Sequence, residues 1–260
     1  MSERRHDGTG AGEDGFVLHA VQGMASFSRE EWDTLGGACR SGSNTSPSDS
    51  GTAYNPFISY DFLSILEESG CVAARTGWQP VHLRLEDTDG AVLGAVPCYL
   101  KSHSQGEYVF DHGWADAFER AGGRYYPKLQ VSVPFTPATG PRLLVRQGAD
   151  GCAVRAALAQ GLKALAGQLE ASSVHVTFAE APDIAALEEA GFLHRTDTQF
   201  HFLNEGYGSY DDFLATLASR KRKALKRERR EAVAAGIQNH PPPGRPPTPA
   251  ARGGFFPLFI

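Results

Sequence analysis

The stretch VRQGADGCAVRAALAQGLKALAGQLEASSVHVTF, residues 145–178, reads as the end of one strand, a capped helix and a second strand. Asp150 stands just before the Ala/Leu-rich run Cys152–Glu170, where a short acidic side chain can accept hydrogen bonds from the free N–H groups of a first helical turn. Val174–Phe178 then alternates apolar and polar residues, the period of a strand with one buried face. Downstream, the pattern predicts a helix over Asp183–Ala190, stopped by Gly191, and a last long strand over Phe192–Leu203. Strand, helix, strand, helix, strand in that order needs a sheet with some parallel pairing and helices to cover it.

Upstream the signals change to short-range pairing. Phe16–Val21 predicts a first strand, and Ser28-x-x-Glu31 is a capping box opening a short helix through Trp32 and Leu35. Residues 36–53 read as a loop. Asn55-Pro56 starts a second helix, with Phe57, Ile58, Phe62, Ile65 and Leu66 at helical spacing and Gly70 beyond its end. Val81–Leu85 and Ala91–Leu100 predict a hairpin around Asp89-Gly90, with Glu107–Phe110 as a third antiparallel strand. A short helix is expected around Trp114–Ala121, then a strand over Lys128–Val133 that Arg142–Val145 continues. The fold class is α/β of the α+β kind: a mixed, largely antiparallel central sheet flanked by helices.

Composition narrows what such a chain can be. Its 260 residues, 41% of them hydrophobic, can bury a substantial core. There is no run of about 18 apolar residues to cross a bilayer, and the first fifteen residues lack the apolar centre of a secretory signal. Cys39, Cys71, Cys98 and Cys152 form neither a disulfide framework nor a C-x-x-C pair, so no metal site is expected and a reducing, cytoplasmic setting is the default.

The net charge of −5 hides an asymmetry. RKRKALKRERR, residues 220–230, holds eight basic residues and one acid, Glu228; the rest of the chain has 17 basic against 29 acidic residues. This run lies in a helix expected from Ser209 to Ala235, with a thin apolar stripe of Leu214, Leu217, Leu225 and Val233. A Pro-rich segment follows. The domain reading is therefore a disordered arm (1–15), a first lobe (16–208), a basic helix opening an incomplete second lobe (209–237) and a Pro-rich tail (238–260). The end at 260 is read as truncated or frame-shifted, with a natural isoform as the alternative.

Six collinear stretches carry a resemblance: NPFISYDFLSILEESG (55–70), GAVPCYLKSHSQGEYVFDHGWADAF (94–118), YYPKLQVSVPFTPATGPRLLV (125–145), HVTF (175–178), QFHFLNEGY (199–207) and FLATLASRKRKALKRERR (213–230). Together they resemble the FemAB-like branch of the GNAT N-acyltransferase superfamily over roughly residues 55–237. The resemblance implies a GNAT-like lobe and transfer of an acyl or aminoacyl group to an amine, with acyl-coenzyme A or aminoacyl-tRNA as the donor and a small-molecule or peptide amine as the acceptor.

N-acyl transfer requires the amine to lose a proton and the developing oxyanion to meet donors. Asp111 and His112, beside Trp114, are candidates for the acid–base role at an expected strand end. His175 and His201, each alternating with apolar neighbours, are the others. Trp114, Tyr125, Tyr126, Lys128 and Asn204 are candidate substrate contacts; Lys128 equally suits a solvated strand edge. The junction LLVRQGADGCAV (143–154) lacks the full glycine spacing of a pyrophosphate loop, and Asp150 would place a carboxylate where phosphate should bind, so it reads as an ordinary capped helix start. Arg220, Lys221, Lys223 and Arg227 spread positive charge around the last helix and suit a polyanion such as tRNA. A non-catalytic module binding RNA or another polyanion through this helix is the alternative to the enzyme.

Overall fold

A computed structural model describes residues 10–11, 15–35, 54–198, 200, 202–203 and 205–234. The expected loop at 36–53 and the Pro-rich tail lie outside the described residues. Along the chain run β1 (Gly10–Ala11), β2 (Val17–Val21), α1 (Arg29–Asp33), α2 (Tyr60–Glu68), β3 (Trp78–Pro80), β4 (His82–Glu86), β5 (Val92–Val96), β6 (Cys98–Lys101), α3 (His112–Arg120), β7 (Lys128–Val131), β8 (Leu144–Val145), α4 (Gly151–Gln168), β9 (Val174–Val176), α5 (Ala181–Glu189), α6 (Tyr210–Thr216) and α7 (Ser219–Ala234). The chain divides into two compact units between Arg195 and Thr196, the first holding β1 to α5 and the second α6 and α7.

The mixed, mostly antiparallel α+β class holds, but the strands form two sheets. One has the order β1-β2-β4-β5-β8 and is antiparallel throughout; the other has the order β3-β6-β7-β9, with β7 and β9 parallel. The expected hairpin arm 91–100 is divided between them at Pro97, which has no N–H to donate to a ladder. Val92–Val96 stays with β4, and Cys98–Lys101 pairs with β3 and β7. Residues 142–145 do not continue β7: Leu144 and Val145 pair with Ala95 and Gly94 in the first sheet.

α4 holds the two sheets together. Its Val154, Leu158, Ala159, Leu162 and Leu165 pack in one cluster with Leu83 and Leu85 of β4, Val96 of β5, Cys98 of β6 and Leu129 and Val131 of β7. The opposite face of the first sheet is closed by Trp32, Leu35, Ile58 and Leu63 over Val92, Ala95 and Leu144. Burial on both faces explains why 91–96 is an unbroken apolar run instead of an alternating one. Gly94 is required at this crossing, because a Cβ there would stand 2.7 Å from Val154 Cγ1 and 2.8 Å from the Leu144 carbonyl oxygen.

The two helix caps expected from sequence form in the structure. The Ser28 hydroxyl accepts from Glu31 N at 3.1 Å while Glu31 Oε2 accepts from Ser28 N at 2.8 Å, and Asp150 accepts from Cys152 N and Ala153 N at 3.0 and 3.2 Å. Asp150 thus occupies the first amides of α4 and puts its carboxylate at that helix start.

Four further expectations are corrected. The second helix is two pieces, a 3-10 turn at Pro56–Ile58 and then α2, because Ser59 adopts an extended backbone and caps Phe62 N. Glu107–Phe110 is not a strand; Glu107 turns inward as a buried ion-pair partner while Phe110 is exposed. The described residues of Phe192–Leu203 form no strand, and Leu193, Phe200 and Leu203 are largely exposed. The basic helix is interrupted at Leu217-Ala218, where Leu217 is extended and separates α6 from α7.

Candidate functional site: a buried polar face on the second sheet

Strand alternation gives the second sheet two unlike faces. Leu100, Leu129, Val131, Val174 and Val176 point to α4 with the apolar cluster. The register Trp78↔Lys101↔Lys128 and Tyr99↔Gln130↔His175 sets the other residues in two rows across the opposite face. Lys101, Lys128 and Gln130 are each wholly buried there.

A buried ammonium is tolerable only with partners. Lys128 Nζ donates to Ser104 Oγ at 2.9 Å, Glu107 Oε2 at 2.7 Å and Asp111 Oδ2 at 2.6 Å. Tyr125 OH donates to the same Asp111 oxygen at 2.8 Å, and Ser104 Oγ is 2.8 Å from Tyr126 OH. Lys101 Nζ lies 3.8 Å from Glu107 Oε1, donates to the Gln105 carbonyl at 3.1 Å and sits 3.4 Å over the Trp78 ring. His175 presents its ring edge-on to Tyr125, with centroids 6.0 Å apart, and its Nε2 is 2.9 Å from Ser173 Oγ. Asp111 Oδ1 and Gln130 Oε1 are buried acceptors with no hydrogen-bond partner among the described residues.

These surroundings move the titrations apart. Burial pushes the Asp111 carboxyl upward, but hydrogen bonds from Lys128, Ser104 and Tyr125 outweigh it and hold the group at about 2. Burial raises Glu107 against the opposing charges of Lys128 and Lys101. It also lowers Lys101, against the pull of Glu107. Burial, aided by the positive charge of Lys128, depresses His175 to about 4. His175 is therefore neutral at neutral pH.

The His175 shift has a consequence for stability. An unfolded histidine titrates near ~6.5, so between about 6.5 and the folded value of about 4 the unfolded chain binds the extra proton. The contribution is fully present above pH ~6.5 and is lost as pH falls through 4. Urea titrations at pH 7 and pH 4.5 should show His175→Gln losing less stability on acidification than the unsubstituted protein; equal losses would contradict this assignment.

Five of the residues selected from sequence converge here: Asp111, Tyr125, Tyr126, Lys128 and His175. Lys128 is the hub of a buried ion-pair network and not a solvated strand edge. His112 and Trp114 are exposed, on the first turn of α3 and not at a strand end; Trp114 meets Arg195, whose guanidinium carbon is 6.0 Å from its ring centroid. His201 and Asn204 lie outside the described residues. Arg220, Lys221, Lys223 and Arg227 are exposed along α7 in the second unit. Lys101, Ser104, Glu107 and Gln130 were missed. The available signal was polar residues at alternate positions, Lys128-x-Gln130-x-Ser132, inside an otherwise apolar strand.

Among the described residues no group of three His, Cys, Asp or Glu is placed to hold a metal ion, and no helix is long and apolar enough to cross a membrane. The model of a family described as peptidoglycan biosynthesis/recognition matches residues 23–248, a span that begins after β2 and takes in every later element through α7. No curated protein matches the chain.

Proposed function

Because the chain belongs to the FemAB-like family of peptidoglycan biosynthesis/recognition proteins, we propose that it transfers an acyl or aminoacyl group to the amine of a peptide acceptor, using the polar face of the second sheet. The observation that carries this reading is the Asp111–Lys128–Tyr125 network, in which a buried, ionised carboxylate keeps one oxygen without a partner. Such an oxygen suits an ammonium or amine N–H, and Gln130 Oε1 is a second acceptor on the same face.

In the transfer a nitrogen–carbonyl carbon bond forms and the bond from that carbon to the donor's oxygen or sulfur breaks. The leaving group takes up a proton, and the attacking nitrogen loses one. Asp111 is too acidic to serve as a strong base and orients the amine. His175, neutral at neutral pH and a better base than Asp111 although burial weakens it, takes the proton from the attacking nitrogen once the N–C bond has formed.

The test uses the full chain, a peptide with one free amine, and either aminoacyl-tRNA or acyl-coenzyme A as donor. Asp111→Asn and His175→Gln should each lower kcat/KM by about 10²-fold or more while circular dichroism shows the fold intact. Transfer from neither donor would overturn the reading.

A second reading, polyanion binding through α7, is favoured by the exposure of Arg220, Lys221, Lys223 and Arg227. Each phosphate contact contributes about 0.7–0.9 to the slope of log affinity against log salt. Replacing Arg220, Lys221 and Lys223 by Ala should reduce that slope for RNA by about 2. An unchanged slope would remove α7 from the interface.

A further inference from the structure

The polar face of the second sheet is deepest at its centre, where Lys101, Lys128 and Gln130 are wholly buried, and shallower at its β9 edge. The register of β9 on β7 puts Val174 beside Leu129 and Val176 beside Val131. Both valines pack on the α4 side, so alternation turns Ser173, His175 and Thr177 to the polar face. The Thr177 hydroxyl fits that orientation by accepting from Gln130 Nε2 at 3.2 Å. Ser173 and His175, at the open edge, are only half-buried.

These two edge residues form a nucleophile–base pair. Ser173 Oγ is 2.9 Å from His175 Nε2. Ser172 Oγ, 3.3 Å from Ser173 Oγ, directs its own proton to the Tyr125 carbonyl and so has none to give its neighbour. With the imidazole in its Nδ1–H form, the Ser173 hydroxyl donates to Nε2. In that arrangement the base removes the proton as the oxygen attacks.

The backbone and one aromatic ring hold the pair in place. The Ser173 carbonyl accepts from Leu129 N at 2.9 Å, and Ser172 N donates to the Pro127 carbonyl at 2.8 Å. Tyr125 packs edge-on against the imidazole while its hydroxyl donates to Asp111, which ties the pair to the Lys128 network.

We propose that Ser173 is a nucleophile that carries the acyl group as an ester, with His175 as its base. In the first step Ser173 Oγ bonds to the carbonyl carbon of the donor, and the bond from that carbon to the donor's oxygen or sulfur breaks. The hydroxyl proton passes through His175 Nε2 to the leaving alcohol or thiol. In the second step an amine nitrogen bonds to the same carbon and the bond from Ser173 Oγ breaks. A proton from the nitrogen returns through Nε2 to Oγ. Burial weakens His175 as a base, which restricts the donor to an ester or thioester, whose leaving group departs readily, and excludes an amide. The first step stands without the transfer reaction; the second rests on the reading of that reaction given above.

The test needs no acceptor. The full chain is treated with p-nitrophenyl acetate, and the product is followed by intact mass and located by peptide fragmentation. One acetyl group should appear on Ser173 and none on the exposed Ser172 beside it. Ser173→Ala should remove this label, and His175→Gln should slow its formation by about 10²-fold or more while circular dichroism shows the fold intact. In the chain unfolded by urea, where the pair is no longer held together, the preference for Ser173 over Ser172 should vanish. No acetyl on Ser173, equal labelling of both serines in the folded chain, or a rate that His175→Gln leaves unchanged would overturn the assignment. Transfer to a peptide amine at full rate in Ser173→Ala would overturn the ester intermediate and leave the transfer reading standing. An ester on Ser173 with no transfer to an amine would support the nucleophile and count against the transfer reading.

Discussion

Replacing Lys128 by Met is expected to remove about 3–5 kcal/mol of unfolding free energy, the cost typical of breaking a buried ion pair by deleting one partner. Met fills nearly the same volume, so the loss is electrostatic. Without the ammonium, Glu107 and Asp111 face one another as buried carboxylates, and Ser104 loses its donor. The variant should recover part of its deficit on acidification. Although Glu107 keeps Lys101 at 3.8 Å and Asp111 keeps the Tyr125 hydroxyl, two buried carboxylates that have lost their shared ammonium have raised folded pKa values, so they take up protons before the unfolded chain does and stability rises as pH falls. Adding Glu107→Gln should restore part of the stability at pH 7. Urea denaturation of the single and double variants at pH 7 and pH 4.5 measures both effects. A loss below about 1 kcal/mol would place the pair among weak surface bridges and contradict its burial.

The second large effect is expected at Asp183, which lies on α5 but serves the segment entering β8. Its Oδ2 accepts from Arg142 N at 2.6 Å and Leu143 N at 3.2 Å, and its Oδ1 accepts from Arg155 Nε at 3.0 Å. Arg142, itself wholly buried, uses its guanidinium on the carbonyls of Thr177, Gly140, Pro141 and Ala138. Burial lowers its pKa to about 10, which leaves it charged at neutral pH. Asp183→Ala strands two buried amides and removes the nearby counter-charge. The expected loss is about 3–5 kcal/mol, from about 1–3 for each unsatisfied group. Asp183→Asn, which keeps one acceptor oxygen, should lose less. Hydrogen exchange reports the same event locally: the Arg142 and Leu143 amides should be strongly protected in the unsubstituted chain and exchange at least ~10²-fold faster in Asp183→Ala, since each 1.4 kcal/mol is a factor of ten. Protection that survives the substitution would show that the carboxylate is not their partner.

Asp183 also illustrates what a linear reading misses. From sequence it was the first residue of an expected helix; its bonds go to residues about forty positions earlier. Glu107 is similar. The sequence predicts a strand over Glu107–Phe110, whereas in the structure Glu107 turns inward to the buried ammonium of Lys128. Lys128 had two readings of equal weight, since the same residue type serves a solvated edge or a buried charge, and only the packing of β7 between β6 and β9 chooses between them.

Elements governed by bonds within a few residues are legible from the sequence alone: the Ser28–Glu31 capping box, the Asp150 cap of α4 and the turn between β4 and β5. Their energies depend on neighbours that the chain itself supplies. The α+β class follows from the order of those elements, and the family resemblance from the six collinear stretches between residues 55 and 230. The tertiary structure decided which sheet received β6 and β8, that the described residues of Phe192–Leu203 form no strand, and which polar side chains meet. Those outcomes depend on burial, and a buried charge is tolerated only where partners from other segments arrive together, as the carboxylates of Glu107 and Asp111 and the hydroxyl of Ser104 do around Lys128.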